Sequence, residues 1–250
     1  MQDRYSGDIG DYGKFGLLRK LLKQGFRIGI NWYKVDPQGY ERNSEGSFKQ
    51  NDGKYRHYEE YSSCDSDLAM ALMGIPDNAR SISALQDLEL INGASYYDKS
   101  VPVDNGKRKE WFDASLKCLK EADIIFMDPD NGFEVKSVHN GTLRSIKYVY
   151  YKEVEAYLAA GKSVVIYSHR CRKKREKYFT EILNNLVALP NVVRENIFVV
   201  TFNRFSVRDY FMIVQSKHRD MLEKAIIGMT SGIWKKMCYL PDENHGWGRQ

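Results

Sequence analysis

The stretch Ile124-Ile125-Phe126-Met127-Asp128-Pro129-Asp130-Asn131-Gly132 decides how this chain is read. An apolar run passes directly into two acids, a proline, an amide and a glycine. Unbroken apolarity over a few residues is the pattern of a parallel strand buried on both faces. In open α/β sheets, ligands bind outside the carboxyl ends of such strands. The polar tail of this stretch is therefore the first place to seek a site.

A second stretch of the same kind is Val164-Val165-Ile166-Tyr167 followed by Ser168-His169-Arg170. If the two strands are parallel neighbours, His169 and Asp128 emerge at one edge of the sheet. Between and around them the chain alternates helix and strand. Gly10-Asp11 opens an amphipathic helix with Phe15, Leu18, Leu21 and Leu22 near one face, and Gly25 can end it. Residues 26–33 read as a strand and 36–61 as a long polar, aromatic loop or lid. A helix at 65–73, a strand within 81–91, a helix at 107–121 and the strand at 123–127 follow. Then come a helix at 151–160 stopped by Gly161, a strand at 163–167 and a basic helix at 173–188. Residues 196–202 and 209–215 form an antiparallel hairpin, and a last helix covers 217–228. The fold expected is a Rossmann-like three-layer α/β sandwich, a mostly parallel sheet with a C-terminal antiparallel hairpin, in one domain over residues 1–250.

Composition narrows the class. The 250 residues are 42% hydrophobic and 28% charged, ordinary for a globular chain that can bury a sizeable core. Aromatic residues reach 13%, with 17 tyrosines against 11 phenylalanines; tyrosine pairs a flat apolar face with a polar tip and suits polar ligand surfaces. A net charge of +5 permits a polyanionic partner without demanding one. Cys64, Cys118, Cys171 and Cys238 are far apart and suggest neither a zinc site nor a disulfide framework. With no apolar signal core at the start and no membrane-length apolar run, a cytoplasmic location is expected.

Four clusters carry the candidate chemistry. Asp128, Asp130 and Asn131 can take a proton, hold a metal or hydrogen-bond an exocyclic amine, although Asp, Asn and Gly also simply suit a turn. His169 adds an imidazole that can act as base or ligand. Arg170, Arg172, Lys173, Lys174 and Arg175 open a helix and point to phosphate or nucleic acid, against the ordinary alternative of a solvated helix face. Gly7, Asp8, Gly10, Asp11 and Lys14 form a glycine-rich charged entrance that matches neither a dinucleotide fingerprint nor a Walker loop. Pro129-Asp130 with Glu134-Val135-Lys136 spells the elements of a PD-(D/E)xK nuclease, but the spacing is too short for its two strands.

The run Gly7-Asp8-Ile9-Gly10-Asp11-Tyr12-Gly13-Lys14-Phe15-Gly16-Leu17-Leu18-Arg19, with Asp128-Pro129-Asp130-Asn131-Gly132, resembles a group of uncharacterised bacterial and phage-associated proteins. More remotely, the layout is similar to Rossmann-fold S-adenosylmethionine-dependent methyltransferases of the adenine-N6 type. Those carry (Asp/Asn)-Pro-Pro-(Tyr/Phe) after the fourth strand to grip the target amine. Asp128-Pro129 matches the first half; Asp130-Asn131 departs from the second and lacks the aromatic on which a flipped base stacks. The resemblance implies methyl transfer to a nucleic-acid or nucleotide amine, with Asp128 accepting from the amine and Asn131 helping to place it; Asp130 and His169 join them as candidate catalytic residues through their strand-end placement. It implies S-adenosylmethionine held by Gly7, Asp8, Gly10, Asp11, Lys14 and Asp36. The first-strand region 28–36 offers one glycine, Gly29, in place of that family's Gly-rich turn. Two alternatives stay open: a nuclease or phosphohydrolase using Mg²⁺ or Mn²⁺ on Asp128, Asp130 and His169, and a non-catalytic nucleic-acid or protein interaction module.

Overall fold

A computed structural model describes residues 1–36, 56 and 58–241. Its strands are β1 (Ile28–Asn31), β2 (Ser95–Tyr97), β3 (Ile124–Met127), β4 (Gly132–Phe133), β5 (Tyr148–Val149), β6 (Ser163–His169), β7 (Ile197–Arg204), β8 (Ser206–Ile213) and β9 (Cys238–Tyr239). The main sheet has the order β2-β1-β3-β6-β8-β7-β9. Pairs β1–β2, β1–β3 and β3–β6 are parallel; β6–β8, β7–β8 and β7–β9 are antiparallel. Two reversals separate β7 from β6, so β7 runs with the parallel strands and the sheet is mostly parallel. β4 and β5 form a separate two-stranded parallel ribbon.

The helices are α1 (Ile9–Lys23), α2 (Ser66–Met73), α3 (Ile82–Asp87), α4 (Asn105–Cys118), α5 (Tyr151–Ala159), α6 (Arg175–Val187) and α7 (Arg219–Thr230). They cover both faces of a Rossmann-like sandwich. β3 explains how: Ile124 and Phe126 join the core under α1, α2, α3 and α7, while Ile125 and Met127 join the core under α4, α5 and α6. Successive strand side chains point to opposite faces, so a strand covered on both sides must be apolar throughout. Among the described residues no helix is long and apolar enough to cross a membrane.

α1 follows its sequence signals. Asp8 caps it by accepting from the Asp11 amide, and Gly25, at φ 92°, follows its end. Glycines at 10, 13 and 16 lie on its inner face. A Cβ at Gly13 would sit 2.6 Å from the Phe202 ring, and one at Gly16 would sit 2.4 Å from Trp234. These glycines let the helix lie close against β7 and the C-terminal segment.

Several expectations are corrected. The segment 81–91 holds α3, not a strand: Ile82 and Leu85 recur at helical spacing, and Ser81 caps the helix by accepting from the Ala84 amide. The edge strand is β2 instead, three residues of serine and tyrosine with little apolar signal. The first strand is shorter than 26–33, and β6 continues through Ser168 and His169. Most of the expected loop at 36–61 lies outside the described residues; its end, Glu59–Cys64, is a 3-10 helix.

A buried ion pair ties α4 to α5 beneath the sheet. Arg108 Nε lies 2.7 Å from Glu153 Oε1, and both side chains are buried. Arg108 also donates to the carbonyls of Ser145 and Tyr148; Glu153 also accepts from Tyr33 Oη and the Tyr150 amide. Removing one partner strands the other charge in the core, at a cost of about 3–5 kcal/mol. Glu153→Ala is therefore expected to lower unfolding stability by about that amount in urea titration. The double change Arg108→Met/Glu153→Leu should lose markedly less than Arg108→Met alone.

Candidate functional site

The carboxyl ends of β3 and β6, the end of β7 and the beginning of antiparallel β8 converge on one edge. A cavity of about 330 Å³ opens there, lined by residues from the N-terminal segment, α1, the β3 exit, β6 and the β7–β8 tip. The β3 exit is pinned on both sides. Asn131 N donates to the Lys147 carbonyl, and His169 N donates to the Asn131 carbonyl. Gly132 completes the turn at φ 118°, and a Cβ there would lie 2.3 Å from Ser168 Oγ. Only glycine combines that backbone angle with that approach.

Lys14 is the centre of the arrangement. Its Nζ lies 2.7 Å from Asp11 Oδ1 and 2.6 Å from Asp128 Oδ2, with all three side chains buried. Burial works against the ammonium, but Asp11 and Asp128 outweigh it and hold its pKa above the ordinary lysine value. Asp128 is pushed the other way for a carboxylate: burial raises its pKa, and Lys14 and the Met1 ammonium offset this only in part. Asp11 also accepts from the Gly7 amide at 2.7 Å. Lysine, α1 and the β3 exit thus form one locked unit.

Asp130 pairs with the Met1 ammonium, 3.0 Å from Oδ1, and accepts from Gln2 Nε2 through Oδ2; Lys147 Nζ is 3.8 Å away. Burial disfavours its charge, yet the Met1 ammonium and Lys147 hold its pKa below the ordinary value. Met1 N also donates to the carbonyls of Trp32, Tyr33 and Asp128. Those carbonyls follow β1 and β3, where the strand order reverses between β2 on one side and β3 on the other. Met1 therefore fills the crevice at the topological switch point.

On the far wall, Arg208 of β8 pairs in register with His169 of β6. Arg208 Nη2 lies 3.7 Å from Asp8 Oδ2, and its Nη1 donates to the carbonyls of Arg204 and Ser206. Asp8 has its pKa raised to about 6, by burial first; Arg208 opposes this and Asp11 adds to it. Burial likewise lifts the Tyr167 phenol to about 12.

The cavity thus gathers Asp128, Asp130, Asn131, His169, Asp8, Gly10, Asp11 and Lys14. It does not gather Gly7, which packs beside Ile75, nor Asp36, which is exposed and not among the lining residues. Of the basic run, Arg170 is committed internally: its Nε and Nη2 pair with Asp209 at 2.8 and 2.5 Å, and Nη2 reaches Thr201 at 3.1 Å. Arg175 is half-buried at the start of α6, with its guanidinium 6.0 Å from the Phe179 ring centroid. Arg172, Lys173 and Lys174 are exposed, and Lys173 pairs with Glu181.

The sequence reading missed Met1, Gln2, Tyr5, Lys147, Tyr167, Phe205, Ser206 and Arg208. For Arg208 a signal existed. The second strand of a terminal hairpin runs against the parallel strands, so its first residues must arrive at the edge where those strands end. A charged pair, Arg208-Asp209, heading the apolar run Tyr210-Phe211-Met212-Ile213 marks that arrival.

The implied cofactors meet different obstacles. Divalent-metal binding would set a cation beside Lys14 and the Met1 ammonium, which already engage Asp128 and Asp130. The donor set does not fit it, and among the described residues no group of three or more His, Cys, Asp or Glu side chains is placed to hold a metal ion. For S-adenosylmethionine, the β1 exit carries Trp32 and Tyr33, both buried, with Trp32 stacked parallel to Tyr96 at 6.3 Å between centroids. Gly29 sits inside β1, where a Cβ would lie 2.9 Å from Ile125. With Met1 bonded across the crevice, this exit does not fit the cofactor in the manner the resemblance implies.

Asp8 sets a pH dependence. Its pKa rises from 3.8 to about 6 on folding, so the folded state keeps a proton that the unfolded chain releases. Its contribution to stability is present below pH about 4 and is lost as pH rises to about 6, levelling off above. Asp8→Asn preserves an N-capping oxygen and should abolish this fall. Urea midpoints for both proteins from pH 4 to 7 measure it; a wild-type-minus-variant difference that stays flat contradicts the assignment.

No protein-family model matches the chain, and a search of curated proteins returns no match.

Proposed function

We propose that this chain is a methyltransferase-like protein whose strand-end cavity receives an amine-bearing base of a nucleotide or nucleic acid. The observation that carries the reading is the position of Asp128-Pro129-Asp130-Asn131. It leaves a central parallel strand beside a sheet edge completed by an antiparallel strand, β8, set between β6 and β7. That combination is the layout of the methyltransferases to which the sequence bears a resemblance.

The chemistry of the cavity agrees. The acids Asp11, Asp128 and Asp130 face internal cations, so they shape the wall rather than await a metal. Asn131 is different: its backbone is fixed at both ends, while its amide side chain makes no hydrogen bond among the described residues and lines the cavity. An amide offers one acceptor and two donors, the complement of a base edge that carries an amine beside a ring nitrogen. His169 and Ser206 add further polar edges. The volume, about 330 Å³, falls at the small end of ligand sites. Exposed Arg172, Lys173 and Lys174 follow His169 by a few residues and suit the phosphates of a longer nucleic-acid ligand. S-adenosylmethionine supplies an activated methyl group when bound. Because the β1 exit does not fit it, the roles derived for this chain's residues are binding and orientation of the amine alone.

Calorimetric titration with adenosine 5′-monophosphate and an adenine-containing oligoribonucleotide tests the reading. Wild type should bind both. Asn131→Ala should weaken adenosine monophosphate about five- to tenfold, the loss of a hydrogen-bonding pair. Replacing Arg172, Lys173 and Lys174 by Glu should weaken the oligonucleotide and flatten its salt dependence, leaving the mononucleotide less affected. Thermal stability should not change on adding S-adenosylmethionine. A clear shift with that compound would overturn the statement about the β1 exit, and no binding of either adenine probe would overturn the proposal.

A further inference from the structure

We propose that Phe205, at the tip of the β7–β8 hairpin, is the stacking face for the base in this cavity and so a determinant of ligand choice. The inference rests on the base-binding reading above.

Three observations converge on this residue. Phe205 is the one residue between the paired Arg204 and Ser206, and its φ is 55°. Turn positions in that left-handed region favour glycine or asparagine, and a bulky aromatic there is a strained choice. The residue is also 59% exposed. A single exposed apolar residue is ordinary by itself. Here the exposure coincides with backbone strain, and the residue lines the cavity together with Asn131 and His169. Strain persists where the surroundings enforce it, and it clusters at ligand-holding positions.

The surroundings enforce it here. Arg208 donates through Nη1 to the carbonyls of Arg204 and Ser206, on either side of Phe205. The same guanidinium is held toward Asp8 at the α1 entrance. The tip is therefore braced from inside the cavity. Tyr5, from the segment before α1, also lines the cavity, and the Arg4 guanidinium lies 4.9 Å from its ring centroid. The lining carries aromatic side chains from two elements that are remote in sequence, together with the amide of Asn131 and the exposed imidazole of His169. A planar heterocycle satisfies both sets: its π-face meets the ring and its edge meets the polar groups.

Phe205→Gly and Phe205→Trp separate stacking from structure. Glycine relieves the backbone strain, so the melting temperature of Phe205→Gly should equal or exceed that of wild type. In calorimetry, its affinity for adenosine 5′-monophosphate should fall about tenfold or more, while that for ribose 5-phosphate, which has no base, stays unchanged. Phe205→Trp should retain or tighten the adenosine monophosphate affinity. Phe205→Gly binding adenosine monophosphate as wild type does would overturn the stacking role and leave the cavity reading intact. Equal losses for both probes, with a lowered melting temperature, would also overturn it, because they mark a structural residue. Failure of the wild type to bind adenosine monophosphate and the adenine-containing oligoribonucleotide would overturn this inference together with the reading beneath it.

Discussion

The buried ammonium of Lys14 is the constraint around which the site end of the molecule is organised. A lysine taken fully out of water stays charged only where anionic groups compensate it closely; otherwise it gives up its proton. Asp11, one turn earlier on α1, supplies the local partner, and Asp128, at the end of β3, supplies the distant one. Meeting both demands requires α1 to begin at the sheet edge and to lie close to the sheet. The glycines at 10, 13 and 16 permit the approach, and the Asp8 cap fixes where the helix begins. Once α1 is set there, Asp8 faces Arg208, and Arg208 braces the hairpin tip. The geometry of the cavity follows from where one charge is buried.

Local signals made much of this legible in the sequence, and long-range pairing hid the rest. β3 and β6 announce themselves because a strand covered on both faces has no polar alternation. α1 announces itself through its cap and the apolar positions along it. β2 does not, because Ser95-Tyr96-Tyr97 is a short edge strand held by pairing with β1 rather than by its own composition. Its neighbourhood misled for the same reason: the apolar residues of 81–91 carry a helix, and apolarity over so short a span does not separate the two. The ends of β6 and β8 lie beyond their apolar runs, because Ser168, His169 and Arg208 are polar. They are strand residues because each continues the β6–β8 ladder.

The candidate site divides along the same line. The polar residues after β3 and β6 were legible because topology alone sends them to one edge. The meaning of Asp11 and Lys14 was not. In sequence they read as groups waiting for a cofactor, whereas in the fold they spend their charge on each other and on Asp128. Arg170 repeats the lesson: the first residue of an apparent phosphate-binding run is consumed by Asp209. A buried charged residue is free for a ligand only when no internal partner claims it, and the partner lies one turn away for Lys14 and Asp11 but dozens of residues away for Arg170 and Asp209.

Fold does not fix function, and the site shows where the two part. In an open α/β sheet the prepared place for a ligand is the crevice where strand order reverses. Here Met1 bridges that crevice through the carbonyls after β1 and β3, and the open volume lies further along the edge, between the β3 exit and β8. Antiparallel β8 makes this displacement productive. A parallel strand would bring only its last residues to the edge; an antiparallel one brings its first, and with them Ser206, Arg208 and the hairpin tip. The cavity is thus walled on one side by charges that neutralise one another and on the other by a turn carrying an aromatic ring. Under the proposed reading such a wall would select for shape and hydrogen-bonding edge more than for net charge, which is what distinguishes a base from a bare phosphate.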